Sequence, residues 1–159
     1  MDERIKVVEG SFGARGLRVG LVASRFNEFI VERLVDAAVG TLLKHGVEAG
    51  DVELVRVPGA FEIPLALKRM AASRKHDALV ALGCVIRGAT PHFDYVAGEA
   101  ARGISAVALE HAIPVGFGLL TVDTIEQAIE RAGTKAGNKG ADAALTAIEM
   151  ATLLRRMEQ

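Results

Sequence analysis

Apolar positions along the chain follow two periods, and each predicts a different kind of element. Four short runs rich in β-branched residues read as strands: LRVGLVAS at 17–24, VELVRV at 52–57, ALVALGCVI at 78–86, and the run from Val115 to Thr121. Between them the apolar spacing lengthens to four. Ile30, Leu34, Ala38 and Leu42 form one stripe over residues 28–44, and Gly46 suits the stop of that helix. Residues 62–73 predict a second helix, with Pro64 in the first turn, where proline is tolerated. Val96, Ala100, Ile104 and Ala108 keep register through a third helix at 93–111. A short fourth helix is expected over 124–132, a loop GTKAGNKG over 133–140, and a last helix over 141–156. Ile5–Val8 is a weak strand, placed on an edge of the sheet or on a neighbouring chain.

Strands that alternate with helices imply right-handed crossovers and a parallel sheet covered on both faces. The expected fold is α/β: a single domain over residues 1–159, layered α/β/α, with a four-stranded parallel sheet of flavodoxin-like layout. In open sheets of this kind ligands bind in the crevice beyond the carboxyl ends of the strands. The segments to examine are SRFN (24–27), VPGAFE (57–62), IRGATPHF (86–93) and the region around Phe117.

Composition narrows the function classes. Lys and Arg number 19 against 20 Asp and Glu, a net charge of −1, which offers no footprint for nucleic acid or an anionic membrane. Cys84 is the sole cysteine, so no intrachain disulfide can form and nothing implies secretion. The N-terminal MDERIKVVEG lacks the apolar run of a signal peptide, and no stretch approaches the length of a membrane span. A cytoplasmic protein is expected.

Aromatic side chains are scarce, with six Phe, one Tyr and no Trp. Yet Phe26, Phe61, Phe93 and Phe117 are all read at or near the carboxyl ends of strands. Each is either packing or a ring for a planar heteroaromatic ligand, where stacking adds about 0.5–1.5 kcal/mol beyond burial. Glu62, in a strand-to-helix turn, either serves the helix dipole or accepts the N–H groups of a uracil-like ring. His45 and His111 fall at helix C-termini and His76 in a turn. Only His92 follows a buried strand, among Gly88, Ala89, Thr90 and Pro91. It is either an ordinary loop histidine or a group that takes and returns protons near neutral pH.

Two places could hold a phosphate. Gly88-Ala89-Thr90 offers backbone N–H groups and a hydroxyl. Arg131, Lys135 and Lys139 supply cations, although such a run equally fits a solvated face, and GTKAGNKG lacks the Walker spacing. No Cys, His or carboxylate cluster has metal-ligand spacing, so no metal is expected. From the residues alone the chain is an α/β domain with a place for a planar ring and a phosphate, and one candidate proton shuttle.

At these same segments the chain resembles lumazine synthases. The blocks SRFNEFI (24–30), VPGAFEIP (57–64), GCVIRGATPHFDYV (83–96) and IERAGTKAGNKG (129–140) keep that family's order and spacing over nearly the whole chain. The resemblance implies a cofactor-free transferase of riboflavin biosynthesis. It would condense 5-amino-6-(D-ribitylamino)uracil with 3,4-dihydroxy-2-butanone 4-phosphate to give 6,7-dimethyl-8-ribityllumazine, phosphate and water. It further implies that Phe26 stacks on the pyrimidinedione and that Ala60, Phe61 and Glu62 line the ring and ribityl pocket, bordered by Asn27. Cys84, Val85 and Ile86 would offer backbone groups to the ring's polar edge. Ala89 and Thr90, beside Gly88, would meet the ketone phosphate with Arg131, and Lys139 is a further cation for it. His92 would transfer protons, Arg131 would assist catalysis, and Phe117 would come from the adjacent subunit.

Two rivals accompany this expectation. An archaeal-type riboflavin synthase is similar but dismutates two lumazine molecules, and GATPHFDYV favours the condensation. A flavin-binding shell protein without catalysis is countered by the set Phe26, Glu62, His92 and Arg131. The family assembles as rings of five with sites between neighbours. Small residues in the third helix, Ala97, Ala100, Ala101, Gly103 and Ala108, either serve such self-packing or seat the helix closely on its own sheet. The uninterrupted GTKAGNKG connection matches members whose pentamers close into icosahedral capsids.

Overall fold

The doubly apolar runs occupy the middle of a sheet, where both of their faces are covered. A computed structural model describes all of residues 1–159. Strands β1 (Val19–Ser24), β2 (Val52–Val57), β3 (Ala78–Ile86) and β4 (Val115–Val122) pair in the order β2-β1-β3-β4, all parallel. β1 is buried at every position and β3 at all but the last. β2 lies on an edge and is mostly open. This is the expected flavodoxin-like arrangement.

Helices α1 (Glu28–Lys44), α2 (Ile63–Ala72), α3 (His92–His111), α4 (Ile125–Glu130) and α5 (Lys139–Met157) supply the outer layers. The core is divided by the sheet. On one side Leu21, Ala23 and Leu82 pack with Leu34 and Leu42 of α1 and Ile148 of α5. On the other Val22, Leu79 and Ala81 pack with Ile63 and Leu67 of α2 and Ile104 of α3. Successive residues of β1 thus serve opposite faces, as the pleat requires. Burying each such Leu or Ile contributes about 1.5–3 kcal/mol. α5 approaches closely because glycine stands at both contacts. A Cβ on Gly140 would strike the Leu34 carbonyl of α1, and one on Gly116 the Ala143 carbonyl of α5.

Three expectations are adjusted. Ala60–Glu62 forms a 3-10 turn before α2. The expected loop at 133–140 contains most of a small antiparallel hairpin, β5 (Ala132–Thr134) and β6 (Gly137–Asn138), made possible by left-handed backbone at Gly133 and Gly137. α5 then begins at Lys139, because the Asn138 side chain accepts from the N–H groups of Gly140 and Ala141. Ile5–Val8 pairs with no strand of its own chain. Residues 9–11 run along α5 instead, where the Ser11 N–H donates to Thr152 Oγ1 at 2.8 Å and the Glu9 carbonyl accepts from Arg156. No helix is long and apolar enough to cross a membrane.

Candidate active site

The sheet order places a switch between β1 and β3. α1 leaves β1 toward one face, and α2 leaves β2 toward the other, so a crevice opens where they part. Strand length deepens it. Pairing of β1 with β3 ends at Ala23–Leu82, whereas β3 stays paired with β4 as far as Ile86–Val122. Gly83–Ile86 therefore have a strand on one side only, and a cleft of about 690 Å³ lies against them.

The cleft gathers Phe26, Asn27, Ala60, Phe61, Glu62, Cys84, Val85, Ile86, Gly88, Thr90 and His92 from three separate segments. Phe26 and Phe61 present exposed rings, at 73% and 59% relative exposure. Glu62 closes the 3-10 turn, and its Oε2 lies 3.1 Å from where a Cβ on Gly59 would sit, so that glycine leaves room for the carboxylate. His92 is exposed at the first turn of α3. Ala89 sits in the same exposed turn, between Gly88 and Thr90, but does not itself line the cleft.

Asn27 has a second duty. Its backbone is left-handed, at φ 61° and ψ 42°, and its Nδ2 donates to the Cys84 carbonyl at 2.8 Å. Of the backbone groups expected to meet a ligand, that carbonyl is already engaged by the protein. Burial pushes the Cys84 thiol up to about 11, so it is neutral at physiological pH and is no nucleophile.

Three expected residues lie elsewhere in the chain. Phe117 pairs with Ala81 in the amino half of β4, five residues before Val122, or roughly 16 Å from the carboxyl end. Its expected place at the carboxyl edge is thus corrected: the strand begins level with Leu79, near the start of β3. The flanking Gly116 and Gly118 pack on Ala143 of α5, so Phe117 projects from the opposite face, and it is half exposed. Arg131 caps the end of α4, donates from Nη1 to the Gln127 carbonyl at 3.2 Å, and pairs with Glu130 at 3.6 Å. Its own carbonyl accepts from the Lys139 N–H at 2.9 Å, so the hairpin brings Arg131 and Lys139 together outside the cleft. Lys139 Nζ pairs with Asp142 at 3.3 Å. No Lys or Arg lines the cleft, and no three His, Cys, Asp or Glu side chains form a metal-binding group.

A family model described as 6,7-dimethyl-8-ribityllumazine synthase matches residues 16–155. The chain belongs to that family. Lumazine synthase membership identifies an enzyme of the transferase class, in riboflavin biosynthesis, acting on small molecules.

Within this lumazine synthase fold the cleft also draws on Pro58 and Gly59 of the VPGAFE segment, and on Tyr95 and Val96, which the sequence did not single out for it. Tyr95 and Val96 stand three and four residues after His92 on the same helix, a spacing that marks one face. Phe93 lines the cleft but is buried among Val85, Ala97 and Leu119, so it serves packing as well.

Proposed function

We propose that the chain condenses 5-amino-6-(D-ribitylamino)uracil with 3,4-dihydroxy-2-butanone 4-phosphate, giving 6,7-dimethyl-8-ribityllumazine, phosphate and water. The observation that carries this reading is the single cleft at the strand switch. It combines an open Phe26 ring, the Glu62 carboxylate, one-sided β3 backbone, a Gly-Ala-Thr turn and His92. The ring and backbone suit a planar pyrimidinedione, Glu62 suits the ribityl hydroxyls, and the turn suits a phosphate. The 5-amino nitrogen attacks the ketone carbonyl and water leaves to form an imine. Loss of the C3 proton then expels phosphate from C4 and leaves an enol, which tautomerises to a new carbonyl at C3, and the ribitylamino nitrogen attacks that carbonyl with loss of a second water. His92 carries the protons.

These steps are proton transfers and dehydrations between two held reactants, so proximity dominates. Effective molarity supplies about 7–11 kcal/mol in favourable cases, against about 10²–10⁴-fold from an acid–base group. Loss of His92 is accordingly survivable, with a fall of about tenfold to a thousandfold.

The phosphate also needs cations, and the cleft lining has none. Arg131 and Lys139, already side by side, together with Phe117, complete the cleft of an adjacent copy in this proposal. Large apolar side chains left open to solvent, among them Phe29, Leu65, Leu109 and Ile125, support assembly. A head-to-tail contact that closes gives a ring, here of five, and the tight β5–β6 connection leaves such rings free to close into a capsid. The small residues of α3 contribute less to this than their number suggests. Ala97 and Ala100 are buried in the core, and Gly103 packs on Pro64 of α2.

Mixing both substrates with the purified protein tests the reaction: lumazine and phosphate should appear in equal amounts. Turnover of lumazine alone would indicate a riboflavin synthase, and no turnover a shell protein. Co-assembling Arg131→Ala and Phe26→Ala chains, assayed at low substrate where both are impaired, tests the shared site. Some interfaces then carry neither substitution, and activity should partly return. A mixture as impaired as its parents would confine the site to one chain.

A further inference from the structure

The turn between β3 and α3 delivers Gly88, Thr90 and His92 to the cleft, yet residues 87–92 are all exposed. Apolar burial does not hold this turn. One side chain does reach from it to its surroundings. Arg87 Nε donates to Asp123 Oδ1 at 2.9 Å, just beyond β4, and Nη1 donates to Asp94 Oδ1 at 3.2 Å in the first turn of α3. The guanidinium carbon lies 4.3 Å from the centre of the Phe93 ring, over its face. Below the side chain, the Arg87 N–H donates to the Val122 carbonyl at 2.8 Å. Asp123 is itself secured, since its N–H donates to Gln127 Oε1 at 2.8 Å.

We infer that Arg87 is a positioning residue, which orients the His92 turn by bracing it against Asp94, Asp123 and the Phe93 ring. Arg87 does not line the cleft and so acts through His92 and Phe93. A planar fork suits the task, because it reaches two carboxylates on two elements while its face rests on an aromatic ring. Both ion pairs are solvent-exposed and add little to global stability. Their effect is on local order. The kinetic consequence rests on the condensation proposed above; the bracing does not.

Two measurements on Arg87→Ala separate these. Exchange of the N–H groups of residues 94 and 123, bonded to the Pro91 carbonyl and to Gln127 Oε1, should quicken by about tenfold or more, while the global unfolding midpoint stays put. Turnover should fall about tenfold to a hundredfold, the penalty of a slightly misplaced group. In a His92→Ala background the same change should cost less than about threefold, because the positioned group is already gone. Arg87→Lys should fall between, since an ammonium reaches one carboxylate and stacks poorly. Should Arg87→Ala fail to fold, Asp94→Asn and Asp123→Asn loosen the same brace and should quicken the same amides. Unchanged exchange would overturn the inference whatever the reaction. An undiminished loss in the His92→Ala background would also overturn it, by making Arg87 a direct substrate contact. Quickened exchange in a protein with no condensation activity would sustain the brace and remove the proposed function.

Discussion

Replacing Asn27 tests how the switch point is built. The residue combines a left-handed backbone with an amide that donates to the Cys84 carbonyl at 2.8 Å, and its own carbonyl accepts from the Ile30 and Val31 N–H groups at 3.0 Å. Asn27→Ala removes the amide and leaves a buried carbonyl short of a partner, about 1–1.5 kcal/mol. It also forces a Cβ-bearing residue without a polar side chain into the left-handed region, about 1 kcal/mol more. The sum is about 2–2.5 kcal/mol. Asn27→Gly keeps the conformation and loses only the bond, so it should cost about 1 kcal/mol. Urea unfolding at one fixed chain concentration measures both, because assembly makes apparent stability concentration-dependent. The alanine variant should shift the midpoint by about 1 M, at slopes of about 1–3 kcal/mol per M. If Asn27→Gly matches the parent, the bond to Cys84 contributes nothing. If alanine is no worse than glycine, the left-handed backbone carries no strain.

Phe26→Ala should weaken pyrimidinedione binding by about 1–3 kcal/mol in calorimetry, with stability unchanged because the ring is exposed, and Phe26→Tyr should be mild. Burial raises the Asp77 carboxyl, but the hydrogen bonds from Arg18 and the charge of Arg155 outweigh it and hold the group below its ordinary range. A depressed folded value means stability that is present above about pH 4 and lost as pH falls through the folded value. Asp77→Asn should thus destabilise by about 1–2 kcal/mol at pH 7, and the gap to the parent should close in acid; a gap constant with pH would refute the pairing. Cys84, buried and titrating near 11, should resist iodoacetamide at pH 8 in the folded protein and react readily in urea. Rapid alkylation of the native chain would show that the thiol is reachable.

Periodicity alone bounded one helix and two strands. Residues 28–44, 52–57 and 78–86 are bounded in the structure as the apolar pattern predicts. The strand-to-helix turns after β1, β2 and β3 carry SRFN, VPGAFE and IRGATPHF, so most of the cleft was legible once parallel strands were inferred. Phe117 was not, because a strand's period says nothing about which partner residue it faces; the pairing of Val115 with Leu79 decides that, far from the cleft. Nor was the role of Gly103, which depends on where Pro64 of another helix falls. The Arg87 brace joins carboxylates seven and 36 residues away, and no local pattern marks such partners. Local propensity and burial period act within a few residues and are written in order along the chain. Register, close approach and ion pairing depend on distances that exist only after the strands have aligned.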